Sequence, residues 1–332
     1  MNNNSNYIIS WVSFYKKTIS NDIPSSIEYI EMDYKNPFLA FRNLKKLLIK
    51  SQFKIVHLHY IGKFSYLLLF LKINKLIVSP WGSDIKLIKN FSIKQIIVKR
   101  ILNKSSLITV DAEFMKDKIY KLISREKIIR RINFGTDSKL FHFHSRDKFS
   151  NTLKIISLRN LEKIYSLETL IKAAKILNVN KSFEFKIDIF GEGSQKNYLK
   201  SMIESMNLNS FINLKGRFIY EDLPNILSNY NLYVSTSTSD AGIAASTSEA
   251  MSTGLIPIIA NNSENDFWIS NNSGLLFETS SEEDLAAKIL EFYFLSSKIK
   301  REMSINARNK ILNYNSYENE MNKMLVLYNE TL

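Results

Sequence analysis

Residues 235–254, STSTSDAGIAASTSEAMSTG, form a run of small and hydroxyl-bearing side chains that ends in one carboxylate, Glu249, at what reads as a helix start. Small side chains let backbone N–H groups approach a ligand closely, and the start of a helix favours anionic groups such as phosphate. Glu249, placed inside that first turn, can accept hydrogen bonds from sugar hydroxyls. The chemistry suggested is recognition of a phosphorylated, hydroxyl-rich ligand. A second group of polar residues lies earlier, in VHLHYIG (residues 56–62). His57 and His59, two apart, share one face of a strand, but nothing nearby supplies a convincing third ligand for a metal, so no metal is expected. The turn SPWGSD that follows offers Trp81 and Asp84. The chain contains no cysteine, which excludes a disulfide, a thiol nucleophile and a Cys-ligated zinc.

The elements that must position these residues alternate between strand and helix. Strand-like runs fall at 6–11, 27–30, 54–59, 75–80 and 106–110, with a helix at 38–50. In the second half they fall at 153–158, 183–190, 211–214, 232–235 and 255–260, each followed by a helical segment: 166–177, 195–206, 223–229, 248–253 and 282–295. Residues 316–332 read as a final helix. Short apolar runs that alternate with helices imply parallel sheets buried on both faces. With 332 residues, 45% of them hydrophobic, the chain can hold two domains with separate cores. The polar start MNNNSN has no signal-peptide character, and the most apolar stretch, 66–78, is interrupted by Lys72 and Lys75. Both features suggest a soluble or peripheral protein, and the lack of cysteine fits a reducing cytoplasm.

Charge divides the chain. The net +13 comes from residues 1–150, with 27 Lys and Arg against 11 Asp and Glu, whereas residues 151–332 carry 18 against 21. The shift falls near residues 147–151. Segment 85–104, IKLIKNFSIKQIIVKRILNK, interleaves Ile88, Phe91, Val98 and Leu102 with lysines at near-helical spacing. Such a basic amphipathic helix suits an anionic membrane surface, with Lys86, Lys89, Lys94 and Lys99 facing it. The same segment also fits a core-facing helix with solvated lysines. No zinc spacing, aromatic RNA motif or basic zipper accompanies the charge, so nucleic acid is the weaker partner.

The run from Gly242 through Glu249-Ala250-Met251 to Gly254 resembles the nucleotide-sugar signature E-G-x-G-x-x-x-x-E-A-M-A-x-G of glycosyltransferase family 4. Further segments resemble that family in the same order: NFGTD around Gly135, IISLRNLEKIYSLETLIKA around Arg159, IDIFGEGSQ with Gly191 and Gly193, INLKGRF with Gly216, and SGLLF with Gly274. The chain departs from the pattern at Ala241, where the family has its first glutamate, at Tyr165, where it has a lysine, and at Trp81, where many members carry a histidine.

The resemblance implies an α/β GT-B fold: two Rossmann-like domains, with parallel sheets facing across a cleft. Residues 1–148 would form the acceptor and membrane-facing domain and 149–315 the nucleotide-sugar domain, with 316–332 returning to the first. It implies a retaining glycosyltransferase that moves a hexosyl-type sugar from a nucleoside diphosphate sugar to a lipid-linked or cell-envelope glycan acceptor. Such an enzyme would sit peripherally on the inner face of the plasma membrane and need no cofactor beyond the donor. Arg159, Lys163 and Glu249 become the catalytic candidates, Arg159 because its fork suits a diphosphate. Gly191, Gly216, Arg217, Asp240, Gly242, Ser246, Thr247 and Glu249 would hold the donor, while His59, Trp81 and Asp84 are the acceptor candidates. A nucleotide-sugar epimerase of the same fold, a non-catalytic sugar-nucleotide binder and a basic nucleic-acid-binding protein are the competing readings.

Overall fold

The computed structural model describes residues 8–14, 26–32, 35–86, 88, 91–123, 126–145, 152–180 and 183–332. The chain divides into two compact units, one of residues 1–132 with 321–332 and one of residues 133–320. The boundary expected at 148 lies outside the described residues.

In the first unit, β1 (Ile9–Ser13) and β2 (Ile27–Glu31) pair in parallel as a separate two-stranded sheet. Strands β3 (Val56–His59), β4 (Leu76–Ser79), β5 (Leu107–Val110) and β6 (Ile129–Arg131) form a second parallel sheet in sequential order. β4 and β5 are buried along their whole length, which is why they read as unbroken apolar runs. Helix Pro37–Ser51 starts from Asn36, whose side chain accepts from the amides of Phe38 and Leu39, and Pro37 occupies its first turn. Helix Ile93–Lys104 is capped by Ser92 and buries Val98, Ile101 and Leu102 beside Val78, Ile108 and Val110. The basic segment is therefore not one membrane-facing helix. It splits into a short helix, Ser83–Lys86, and helix Ile93–Lys104, and two of the four apolar residues expected on its outer face, Val98 and Leu102, belong to the core. From the last twelve residues of the chain, Met324 and Leu327 pack on Ile77, Leu107 and Ile132.

The second unit is built on six parallel strands: β7 (Thr152–Ser157), β8 (Glu184–Phe190), β9 (Ile212–Gly216), β10 (Leu232–Ser235), β11 (Ile256–Ala260) and β12 (Leu275–Phe277). Their spatial order is β12-β11-β10-β7-β8-β9. The chain starts in the middle at β7, winds outward to β9, returns to β10 and winds the other way. That reversal makes the ends of β7 and β10 a topological switch point, the place where such sheets open a crevice for ligands. Alternation along the strands serves two cores. Leu153 and Ile155 face helices Leu167–Asn180 and Glu282–Phe294, while Ile156 and Tyr233 face helices Ala245–Ser252 and Ser297–Tyr314. The helix expected at 248–253 begins three residues earlier. The final helix, Tyr317–Thr331, starts in the second unit and ends in the first.

Candidate functional site

Just beyond β7, Arg159 turns its guanidinium toward the loop that follows β10. Its Nη2 donates to Asp240 Oδ1 at 2.5 Å, and the two side chains are only 8% and 12% exposed. The ring of Tyr165 lies beneath the guanidinium at 4.4 Å. Burial is the largest influence and works against the charge on Arg159, yet Asp240, with Tyr233 and Tyr165, holds the group above its ordinary value. The loop that carries Tyr165 is tied to the one that carries Asp240: Thr236 Oγ1 donates to the Tyr165 carbonyl at 2.8 Å and the Thr238 amide to that of Ile164 at 3.0 Å. Gly191 closes the other side. Its φ is +142°, and a Cβ there would stand 2.5 Å from the Arg159 carbonyl oxygen, so only glycine allows this approach. Its amide donates to the Gly216 carbonyl at 2.8 Å.

Among the described residues, three polar atoms at this switch point are buried with no hydrogen-bond partner: Arg159 Nε, Ser157 Oγ at the end of β7 and Ser235 Oγ at the end of β10. Buried polar groups are nearly always paired, and these three all belong to the carboxyl ends of β7 and β10 or to the loop just beyond.

Helix Ala245–Ser252 begins five residues after Asp240. Its N-cap is Ala244, with φ −64° and ψ 139°, whose methyl side chain caps none of the first-turn amides. Ser246 and Thr247 lie in that first turn. Their hydroxyls meet the buried Tyr233 hydroxyl at 2.9 and 3.2 Å. Glu249 is the fifth helical residue and so stands one turn further in than the sequence suggests. Its side chain is 8% exposed, and Oε1 accepts from the Tyr220 hydroxyl at 2.9 Å. Burial raises the carboxyl pKa of Glu249 and the Tyr220 bond opposes that rise. Gly242 is buried, whereas Lys163 and Arg217 are exposed. Tyr165 and Tyr220 escape sequence reasoning because each acts through a tertiary contact with a residue far along the chain.

In the first unit, Asp84 does not face an acceptor. It is fully buried, Oδ2 accepting from the Ile61 amide at 2.8 Å and Oδ1 from that of Trp81 at 3.0 Å, so it staples two loops together. Burial raises its pKa against those backbone bonds. His57 is likewise structural. Nδ1 meets the Tyr328 hydroxyl and Nε2 that of Ser79, both at 2.6 Å. Burial, then the neighbouring His59, lowers its pKa to about 3. Outward, His59 is exposed, and its ring and that of Tyr60 lie 6.4 and 6.1 Å from the half-exposed Trp81, an aromatic cluster at the carboxyl ends of β3 and β4. Among the described residues no group of three His, Cys, Asp or Glu could hold a metal.

Of the basic residues, Lys94 and Lys99 are exposed, Lys86 lies over the Phe114 ring at 5.4 Å, and Lys89 lies outside the described residues. The apolar side chains that do project here are Phe91, 99% exposed, with Ile93 and Ile96. Among the described residues no helix is long and apolar enough to cross a membrane.

Comparison with known proteins follows the same division. The family described as "Glycosyl transferases group 1" matches residues 138–310, and "Glycosyl transferase 4-like" matches residues 5–112. A poly(ribitol-phosphate) alpha-N-acetylglucosaminyltransferase of Staphylococcus aureus (strain COL) is 32% identical over 202 residues, 59% of this chain and 40% of that protein. The chain thus spans well under two thirds of that relative's length. Among solved structures, the sucrose-phosphate synthase of Thermosynechococcus elongatus superposes with a TM-score of 0.80 at 16% identity, covering 98% of this chain and 89% of that one. A mutant S. aureus TarM in complex with fondaparinux, alpha-GlcNAc-glycerol and UDP gives 0.72 at 22% identity, covering 88% and 59%. The architecture is that of the GT-B glycosyltransferases, with two Rossmann-like units.

Proposed function

This chain belongs to the group 1 glycosyl transferases, and from that premise we propose that it is a retaining, family 4-type enzyme that transfers a sugar from a nucleoside diphosphate donor to a cell-envelope glycan. The observation that carries the donor side is the cluster of unpartnered, buried polar atoms at the switch point, Arg159 Nε with the Ser157 and Ser235 hydroxyls. A diphosphate supplies the acceptor oxygens that these donors lack. Arg159 then stabilises the negative charge that builds on the leaving diphosphate, and the uncapped start of helix Ala245–Ser252 adds its dipole. Glu249 accepts hydroxyls of the bound donor. Lys163 and Arg217, both exposed, are further cations for the phosphates. In the reaction that the resemblance implies, the leaving phosphate oxygen takes the acceptor proton on the face it departs from, so no separate general base is required and the anomeric configuration is kept. No metal is needed, because the cationic groups and the helix dipole do that work.

The acceptor falls to the first unit. The aromatic faces of Trp81 and Tyr60 with His59 suit a sugar ring, and the excess of basic residues suits an anionic polymer or a lipid-linked acceptor at an anionic membrane. The S. aureus relative, a poly(ribitol-phosphate) alpha-N-acetylglucosaminyltransferase, makes UDP-N-acetylglucosamine the first donor to try. The protein would work in the cytoplasm, peripheral to the membrane. Calorimetric titration with UDP, GDP and ADP, followed by transfer and hydrolysis assays on the matching sugar nucleotides, tests the reading. Binding of one nucleoside diphosphate with sugar transfer supports it. Binding without turnover would leave a sugar-nucleotide binder, epimerised donor would reveal an epimerase, and no binding would overturn it.

A further inference from the structure

Glu249 is a carboxylate in an awkward place. It is almost entirely buried, and its only side-chain hydrogen bond among the described residues is the one from Tyr220 at 2.9 Å. That bond occupies Oε1 and leaves Oε2 to a ligand. Tyr220 itself comes from the turn Tyr220–Asp222, which follows β9. Its ring packs edge-on against the buried Phe141 at 5.8 Å and is otherwise about half exposed. Resting on the proposed donor role of Glu249, we infer that Tyr220 is a positioning residue for donor binding, holding Glu249 in one orientation and in its ionised form.

The physical reason is a competition. Desolvation favours the neutral acid, which would carry a proton and offer a poorer acceptor to two neighbouring hydroxyls. A hydroxyl donor aimed at the carboxylate favours the charged form. Burial and the nearby carboxylates of Glu249, Asp137 and Glu221 push the phenol well above its usual range, so Tyr220 stays a donor at any working pH. The other elements packed on this helix direct their polar groups elsewhere. Tyr233 from β10 meets Ser246 and Thr247, and Arg308 from helix Ser297–Tyr314 reaches Ser252 and the Phe141 carbonyl. Among the described residues, the Tyr220 hydroxyl is the side-chain donor that meets the carboxylate.

The test is Tyr220→Phe, which keeps the ring and its packing on Phe141 and deletes only the hydroxyl. UDP affinity of parent and variant is measured calorimetrically from pH 8 to pH 5, with melting curves as a check on folding. Because Glu249 accepts hydrogen bonds from hydroxyls better as the carboxylate, affinity falls as pH drops through its pKa. Without the Tyr220 bond that pKa rises, so the fall begins at higher pH, and the ratio of variant to parent Kd grows severalfold toward pH 5. In a Glu249→Gln background the hydroxyl deletion should have no such pH-dependent effect. A carbon-13 shift titration of the Glu249 side chain in the ligand-free protein gives the same comparison without any donor. A parent and variant with the same titration midpoint and the same pH profile would overturn the inference. A parent that binds no nucleoside diphosphate would instead overturn the donor reading, while the carbon-13 titration would still judge Tyr220.

Discussion

Replacing Asp240 with alanine tests whether the Arg159–Asp240 pair is a placeholder for the donor phosphates. The pair is short, at 2.5 Å, and its members are 8% and 12% exposed. Removing one partner of a buried ion pair strands the other charge, at a cost of roughly 3–5 kcal/mol. Asp240 keeps a little solvent access, so the lower figure, about 3 kcal/mol, is the expectation here. For a unit the size of residues 133–320, a loss of about 1 kcal/mol lowers Tm by about 2–4 °C, so Asp240→Ala should melt about 6–12 °C below the parent. A ligand that binds only the folded protein returns about 2.7 kcal/mol at a hundred times its Kd. If a diphosphate takes the place of the lost carboxylate, saturating UDP should therefore raise the Tm of the variant more than that of the parent. Melting curves with and without UDP, followed by calorimetry, measure both effects. A variant that melts within a degree of the parent, or one that UDP stabilises less than the parent, would refute the reasoning.

Arg159→Lys keeps the charge but loses the guanidinium fork and its stacking on Tyr165, so transfer should fall at least tenfold and UDP affinity severalfold, read by initial rates and calorimetry. His57 folds as the neutral imidazole, with a pKa lowered from the ordinary 6.5 to about 3, whereas the unfolded chain protonates near 6.5. Its contribution to stability is therefore complete above pH 6.5 and is lost as pH falls from 6.5 toward 3. Urea unfolding across that range should show the loss, and His57→Gln should flatten it. Replacing Lys94 and Lys99 with Gln and Phe91 with Ser should weaken salt-sensitive binding to anionic liposomes in flotation assays while UDP affinity holds, because all three project from the first unit.

Much of the second unit is legible in its amino-acid pattern. Strands β10 and β11 are buried on both faces and so appear as short apolar runs, and the sharp loops need glycine at fixed places, Gly191 above all. Arg159 and Glu249 stand out by residue type and spacing. What they touch does not, because a contact between residues 159 and 240, or between 220 and 249, leaves no mark on local pattern. Asp84 shows the same limit from the other side. A carboxylate in a polar turn looks available for chemistry, yet two backbone amides claim both of its oxygens. The basic helix misleads for a different reason. Helical spacing identifies an apolar stripe but not whether it meets water, lipid or protein, and Val98 and Leu102 meet protein.

The first unit is discontinuous in sequence, and that sets an order on its assembly. Residues 321–332 are translated after the whole of the second unit, yet Met324 and Leu327 complete the cluster around Ile77, Leu107 and Ile132, and Tyr328 supplies the partner of His57 Nδ1. Until they emerge from the ribosome, the nascent first unit carries an open apolar seam and a half-satisfied histidine. The second unit, continuous from residue 133 to 320, has all six of its strands by then. The second unit is thus positioned to fold first, and closure of the first waits on helix Tyr317–Thr331.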